Sequence, residues 1–421
     1  MQSTWKKLMA IVMMTTVLVF GGCSLAEGKT TEGEEKSKSA EIEKEQNPFE
    51  EPEENSAYEI KIVEMDQKEK EEAAEKISAV IEKCSSIYRQ ADKGEASNVV
   101  LDEASVHAMI DKTAEDGLSV TCGSHDYNMP HYETVDHCLR KAKKGEDTET
   151  EFYVLNTGGV FRYFYFQYKS GNLFVTSVSA VLNESMKPVI QQMEKTQVYD
   201  WEYTEKGWMI WENARSRNQE MDMHIFYRIM PLDQKSREIA QKCIVPVSYL
   251  CNNLFLADWN EESLKQIEFN DLFEFLYFMK EGSKIDEEKY AEGIPKEEFE
   301  SVIRSFFDIT VEELERYGRY DAAKGTYPWS AIGPWNKVGQ FQPFPEVVKC
   351  VENGDGTLSV YVEAVFAEEG VDCSFRHVVT IREDADGNFV YLGNQVDREN
   401  AYRIPAYRAR RKYTQSEMIQ D

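Results

Sequence analysis

The sequence predicts an α+β protein, with helices packed on antiparallel meander sheets in two helix-plus-sheet domains. Three observations support this class. Apolar residues recur at helical spacing over residues 73–91, strand-like segments rich in Phe, Tyr and Val fill residues 150–182, and the same order of helices and then strands returns after Pro231. Helices followed by strands, without regular alternation of the two, are typical of α+β proteins.

Residues 1–22 have the three-part layout of a secretory signal. Two lysines precede an apolar run from Leu8 to Phe20, and two glycines stand directly before Cys23. The run is too short to span a bilayer, which takes about 20 apolar residues. We therefore expect cleavage before Cys23 and lipid attachment to its thiol, which would anchor the chain on the extracytoplasmic face of the cell membrane. Because Phe20 stands where lipoproteins usually carry Leu, the alternative is an ordinary signal peptide or an uncleaved anchor with a chance cysteine.

Residues 23–57 are predicted to form an acidic, disordered tether behind the acylated cysteine. They are mostly Glu, Lys, Ser and Thr with few apolar residues. Such a segment cannot bury enough apolar surface to offset the entropy lost on ordering. The whole chain has a formal net charge of -28, which excludes nucleic-acid binding through bulk electrostatics and favours cationic partners.

The N-terminal domain, residues 58–230, is predicted to begin with helices and to continue with strands. Helical periods cover residues 73–91, with Gly94 as the closing residue, and residues 102–115 and 132–142. Strand patterns separated by Gly-containing turns cover residues 150–156, 160–168, 173–182, 197–203, 208–212 and 224–230. This order indicates an antiparallel meander packed against helices.

The C-terminal domain, residues 231–421, repeats that order and ends in a basic tail. Helices are predicted over residues 236–243, 264–280 and 297–307, and Thr310 with Glu313 forms a capping box that opens a short helix. Strands are predicted over residues 346–352, 358–366, 374–382 and 389–395. The two halves could come from a duplication of one helix-plus-sheet unit, or the likeness of their strands could be chance.

Two blocks of sequence are similar to a known family. The first contains Arg228-Ile-Met-Pro-Leu-Asp233 and Tyr249-Leu-Cys-Asn-Asn-Leu-Phe-Leu-Ala-Asp-Trp259, and the second contains Asn353-Gly-Asp-Gly-Thr-Leu358. Together with the signal, they resemble a family of uncharacterised Gram-positive lipoproteins from gut clostridia, built on a domain of unknown function. The resemblance implies the extracytoplasmic address. It implies no activity, substrate or catalytic residue.

The densest group of reactive side chains lies between Cys122 and Cys138 and includes His125, His131 and His137. Thiolates and imidazoles suit zinc, and a Cys/His pair could activate a nucleophile. However, the spacing matches no zinc module, since His131 and His137 fall on different faces of a predicted helix. We expect no metal site, no cofactor and no catalytic residue. A cell-wall hydrolase or thiol enzyme that uses the Cys122–Cys138 region is the alternative.

An aromatic stretch, residues 318–345, is the best candidate for ligand binding. Tyr327, Trp329 and Trp335 lie in it among prolines, with little periodicity, and long loops inside compact domains are uncommon unless functional. Tyr and Trp rings can stack on sugars or peptide side chains. We take these three residues as the candidate ligand-binding set. The alternative is that the rings fill the core between helices and sheet.

These observations predict a membrane-anchored surface lipoprotein that acts as a non-catalytic binding or interaction module. Its ligand would be a glycan, peptide or protein of the envelope or the extracellular space, and nucleic acid is excluded as a partner. A solute-binding component of a transporter is disfavoured, because the sequence lacks the alternating strand and helix pattern of a parallel sheet.

Overall fold

The computed structural model describes residues 58–93, 101–123, 127–217, 223–332 and 342–410. Within these ranges the predicted α+β class is confirmed: there are seven α-helices, two five-stranded sheets, one four-stranded sheet and a two-stranded ribbon. The predicted signal and tether, including Cys23, lie outside the described residues. No helix of the described part is both long and apolar enough to cross a membrane.

Three helices precede the first meander, as predicted. They are α1 (Gln67–Gln90), α2 (Glu103–Ala114) and α3 (Tyr132–Lys143). α1 begins with a capping box, in which Asp66 accepts a hydrogen bond from the Glu69 amide at 2.8 Å and Glu69 accepts one from the Asp66 amide at 3.0 Å. The prediction that Gly94 closes this helix is wrong, because Ala91 has already left the helical conformation, with ψ at 143°. Gly94 itself is outside the described residues.

The first five-stranded sheet contains the predicted meander and one long strand that the sequence pattern missed. Its strands are β2 (Val120–Thr121), β3 (Thr148–Leu155), β4 (Phe161–Lys169), β5 (Asn172–Leu182) and β6 (Pro188–Gln197), in that spatial order. β2 is parallel to β3, and the other pairs are antiparallel. β6 escaped prediction because it is a largely polar edge strand, without the alternation that marks a half-buried one.

Both faces of the first sheet are covered. Along β3, Tyr153 and Leu155 join the cluster that contains the apolar side chains of α1 and α2. Phe152 and Val154 point the other way, into a cluster that includes α3 and Trp211. Since successive residues of a strand face opposite sides, one short segment supplies two cores.

A small sheet of four short strands covers the second face of that sheet. Its members are β1 (Tyr58–Glu59), β7 (Asp200–Tyr203), β8 (Trp208–Ser216) and β9 (Met223–Arg228). The first described residues join the two sheets, because Tyr58 pairs with Ser216 of β8 and Ile62 forms a bridge with Thr196 of β6.

The second half places its helices before a meander as well. The helices are α4 (Gln234–Ile239), which continues as a π-helical turn (Ala240–Ile244), α5 (Phe269–Glu281), α6 (Lys296–Ile303) and α7 (Val311–Tyr317). The strands are β10 (Trp259–Asn260), β11 (Ile294–Pro295), β12 (Thr326–Tyr327), β13 (Phe344–Glu352), β14 (Leu358–Phe366), β15 (Val371–Glu383) and β16 (Phe389–Asp397). β11 and β12 form the ribbon, and the others form an antiparallel sheet ordered β10-β16-β15-β14-β13.

The second sheet buries one whole face and only part of the other. Val360 and Val379 pack with the apolar side chains of α5 and α6 in a single large core. On the opposite face, Tyr361 is 39% exposed and Arg376 is exposed. Antiparallel sheets commonly pair one packed face with one solvated face in this way.

The two halves meet at a joint formed by Trp208 and Phe226 of the small sheet and Phe344 and Val365 of the second sheet. The three aromatic rings lie with centroids 5.6–5.9 Å apart. Beside them the buried carboxylate of Glu346 accepts hydrogen bonds from Trp208 at 3.1 Å and from Arg228 of β9 at 2.6 Å. Burial raises the pKa of Glu346, and the Arg228 charge opposes that shift.

Candidate ligand-binding cleft

A cleft of about 440 Å³ opens in the second half, between the loop that follows the π-helical turn and the segment that follows β16. The latter, residues 398–410, is called the C-terminal segment below. The cleft lining includes Leu256, Asp258 and Gln266 on one side and Arg398, Ile404 and Pro405 on the other. Its volume falls in the range of about 300–1,000 Å³ that is usual for small-molecule sites.

The polar end of the cleft is an ion pair that is held in place and still faces solvent. Arg398 donates from Nε to Asp258 Oδ2 at 3.2 Å and from Nη2 to the Leu256 carbonyl at 3.0 Å. Asp258 Oδ1 also accepts from the Val396 amide at 2.6 Å. The two charged side chains are nevertheless 50% and 52% exposed. Both charges are therefore oriented by the protein and accessible to a ligand.

The loop that presents Asp258 is fixed by buried amide side chains. Asn253 donates to the Gln266 carbonyl at 2.8 Å and accepts from the Glu268 amide at 3.0 Å. Asn394 of β16 donates to the Ala257 carbonyl at 2.8 Å. These bonds replace regular secondary structure in satisfying the backbone of a partly buried loop.

A histidine in the core supports the same loop from below. His377 is buried, with Nδ1 2.7 Å from Asn394 Oδ1 and Nε2 3.0 Å from the Tyr249 hydroxyl. Because Asn394 donates its amide to Ala257, the consistent arrangement has His377 donating from Nδ1 and accepting at Nε2. Burial lowers the pKa of His377 to about 4, so the ring is neutral at pH 7. Its role is to hold Asn394 and Tyr249 in place through these two hydrogen bonds.

The C-terminal segment is tied to α5 by buried charges. Arg410 pairs with Asp271 and Glu274, and the side chains of Arg410 and Asp271 are almost fully buried. The Arg410 amide also donates to Asp271 at 2.9 Å, and the Tyr407 hydroxyl donates to the same carboxylate. Burial and the charge of Asp271 raise the pKa of Tyr407, so its hydroxyl stays a donor. These contacts hold the outer wall of the cleft.

The aromatic residues that the sequence nominated for ligand binding lie elsewhere. Tyr327 is fully buried, stacks on Phe299 with centroids 4.1 Å apart and donates to Glu300 at 2.9 Å. Trp329 is only 8% exposed and belongs to the same core. The prediction of an exposed ligand platform is therefore wrong for these two rings. Both are part of the core between helices and sheet, which was the alternative interpretation. Trp335 lies outside the described residues.

The structure describes Cys122, His131, His137 and Cys138 of the Cys122–Cys138 region. Cys122 packs against the α1 and α2 cluster, and a ring nitrogen of His131 lies 2.9 Å from the Ala114 carbonyl. His137 is exposed, and His125 lies outside the described residues. Among the described residues, no group of three or more His, Cys, Asp or Glu side chains could hold a metal ion, and the seven cysteines found there form no disulfide with one another.

Sequence reasoning missed the residues of the cleft. Asp258 lies inside the Tyr249–Trp259 block that carries the family resemblance. That position was the only sequence feature that pointed to Asp258. Arg398, its partner, is 140 positions further along the chain, next to the end of β16. No spacing rule links residues so far apart, so only the fold brings them together.

Residues 70–410 match the model of DUF6070, a family of unknown function, and the chain belongs to that family. The expected domain of unknown function is thereby confirmed. The match extends from α1 to Arg410 and so includes both sheets, the joint and the whole cleft. No curated protein and no solved structure matches the chain.

Proposed function

We propose that this protein is a lipoprotein anchored through Cys23 on the extracytoplasmic face of the cell membrane, and that it binds an envelope or extracellular ligand without catalysis. The observation that carries the proposal is the cleft, with its accessible Asp258–Arg398 pair beside an apolar wall. Clefts with a few oriented polar groups among apolar ones are the usual form of a ligand site.

The signal and the resemblance to Gram-positive lipoproteins support the address. The described chain begins at Tyr58, which pairs with β8, whereas the cleft is built on the second half. The proposed tether would therefore attach to one half while the other half carries the ligand. Such a separation would keep the binding site open to the medium.

The chemistry of the cleft favours binding over catalysis. Its lining offers a carboxylate, a guanidinium, the Tyr407 hydroxyl and the side-chain amides of Asn253 and Gln266, and the described lining residues include no serine, cysteine or histidine. A hydrolase or thiol enzyme would need an activated nucleophile within hydrogen-bond reach of a base. The alternative that uses the Cys122–Cys138 region loses support, because a ring nitrogen of His131 lies 2.9 Å from the Ala114 carbonyl and His137 is exposed.

The address is tested by metabolic labelling with an alkyne fatty acid. We expect the wild type to be labelled and recovered in the membrane fraction, and Cys23→Ala to be unlabelled, because its thiol is the proposed attachment point. Cys138→Ala is the matched control, since it removes another unpaired and only partly buried cysteine. Equal labelling of Cys23→Ala and wild type would refute the lipoprotein assignment.

A further inference from the structure

We infer that the cleft takes a free α-amino acid, bound as the zwitterion with its side chain on the apolar wall. This inference rests on the proposed binding function and specifies the ligand class. It is carried by the Asp258–Arg398 pair, by the hydrogen-bonding capacity that the pair has left over, and by the apolar residues that stand next to it.

The Asp258–Arg398 pair has donors and acceptors that its described contacts do not use. The described contacts of Arg398 use Nε and Nη2, which leaves Nη1 available to a carboxylate. Each oxygen of Asp258 accepts one described bond and keeps a further lone pair. The side-chain amide of Gln266 is exposed at the rim and adds one donor group and one acceptor. A ligand can therefore bond to both charges without breaking the pair.

The adjacency of the two charges selects the ligand class. A purely anionic ligand would pair with Arg398 but be repelled by Asp258, and a purely cationic ligand would meet the reverse situation. A neutral sugar would partly desolvate both charges without neutralising either. A zwitterion satisfies both. Because Nε and Oδ2 are only 3.2 Å apart, the two ligand charges must also be close, as they are on a single α-carbon.

The rest of the cleft fits an apolar side chain. Leu256 lines the cleft from the loop and is buried, and Ile404 and Pro405 line it from the C-terminal segment and are half-buried. The volume of about 440 Å³ leaves room for a side chain the size of that of leucine or phenylalanine. Apolar surface buried there adds affinity, while the ion pair sets orientation.

The test uses the full-length mature lipoprotein in detergent micelles and isothermal titration with defined probes: leucine, N-acetyl-leucine, leucinamide and cellobiose. We expect leucine to bind and each capped analogue to bind at least about tenfold more weakly, because each loses one charge-assisted contact. Capped analogues that bind as tightly as leucine would overturn the inference. These arms use the wild type only, so they do not depend on the folding of any variant.

Variants then locate the site. Arg398→Gln and Asp258→Asn should each weaken leucine binding at least about tenfold. Arg382→Gln is the matched control, because its pair with Asp308 is 46% and 58% exposed in the same half and lies outside the cleft; it should leave leucine binding unchanged. Equal effects of Arg398→Gln and Arg382→Gln would overturn the assignment of leucine to the cleft.

The outcomes separate this inference from the proposed function. If cellobiose binds, loses affinity in Arg398→Gln, and leucine does not bind, the amino-acid inference is overturned while a ligand-binding cleft is supported. If the wild type binds none of the probes, the amino-acid inference is overturned, and labelling at Cys23 still decides the address independently.

Discussion

The two five-stranded sheets differ mainly in the segment that the chain adds after each meander. After β6, the chain forms the small sheet, which folds back over the second face of the first sheet through Trp211 and its neighbours. After β16, the chain forms no further strand among the described residues and instead runs along α5 as the C-terminal segment. The first continuation completes a core, whereas the second leaves part of a sheet face open and builds the wall of a cleft.

The edges of the sheets show the same difference. In the first sheet a two-residue strand, β2, extends the meander beside its first strand, in parallel. In the second sheet a two-residue strand, β10, extends it beside the last strand, antiparallel. β10 directly follows the loop that presents Asp258, so its pairing with β16 brings that loop next to Arg398. The comparison indicates that binding capacity in a helix-plus-meander unit can depend on the short segments around it.

The largest expected effect tests the two-sided burial of the first sheet. Trp211 is buried and packs edge-on against Phe164 and Phe166, with centroids 5.5 and 5.2 Å away. Trp211→Ala should lower the free energy of unfolding by about 3–5 kcal/mol through lost contacts and a cavity. Tyr361→Ala, on the open face of the second sheet, should stay within about 0.5 kcal/mol. Urea denaturation measures both, and similar losses would contradict the difference between the sheets.

The next effect tests how the C-terminal segment is held. Arg410→Met removes the cation that neutralises the buried Asp271 carboxylate and the partly buried Glu274 carboxylate. Removing one partner of a buried ion pair costs about 3–5 kcal/mol, because the remaining charge is buried without compensation. If the C-terminal segment detaches, water reaches the carboxylates and part of that cost is avoided. We therefore expect amide exchange across residues 398–410 to accelerate in Arg410→Met.

The control for that experiment is Arg382→Met, which breaks an exposed pair with Asp308. Exposed pairs contribute about 0–1 kcal/mol, so the exchange of the C-terminal segment should not change. If Arg410→Met also left that exchange unchanged, ion pairing would not be what holds the cleft wall, and the contrast with the ring-packed small sheet would fail.

The smallest expected effect is the loss of folding stability at acidic pH that is caused by His377. The second core contains the buried His377, and no histidine is buried in the described part of the first half. Its pKa is about 4 in the folded protein, against a usual value of about 6.5 in an unfolded chain. Below pH 6.5, His377 binds a proton in the unfolded state but not in the folded state. The free energy of unfolding therefore falls as the pH drops from 6.5 towards 4.

At pH 4.5 this term amounts to about 2–3 kcal/mol. We expect His377→Gln, which keeps a side chain able to bond to Asn394, to lower stability at pH 7 and to lose less of it between pH 7 and pH 4.5 than the wild type does. Denaturation curves at the two pH values provide the comparison. An identical pH dependence in both proteins would show that the proton uptake of His377 does not weaken the second half.

Much of the fold is encoded in local sequence pattern. The apolar run Phe152–Leu155 predicts a strand, because aromatic and β-branched residues favour strands. The pairing of Thr310 with Glu313 predicts the start of α7, where each side chain bonds to the other residue's amide. Both signals involve residues within about four positions of one another, so neighbouring side chains are enough to determine them.

What the sequence by itself determined about this protein is its α+β class, most of its helices and strands, and the return of helices after Pro231. Only the tertiary structure decided that Tyr327 and Trp329 are core residues and that Asp258 and Arg398 form the polar end of a cleft. The physical reason is the sequence separation over which each kind of interaction acts. A backbone conformation responds to side chains a few positions away, whereas burial and ion pairing depend on residues that the chain brings together from far apart. An exposed aromatic ring and a buried one have the same local sequence requirements, and the packing of α6 against β12 distinguished them here.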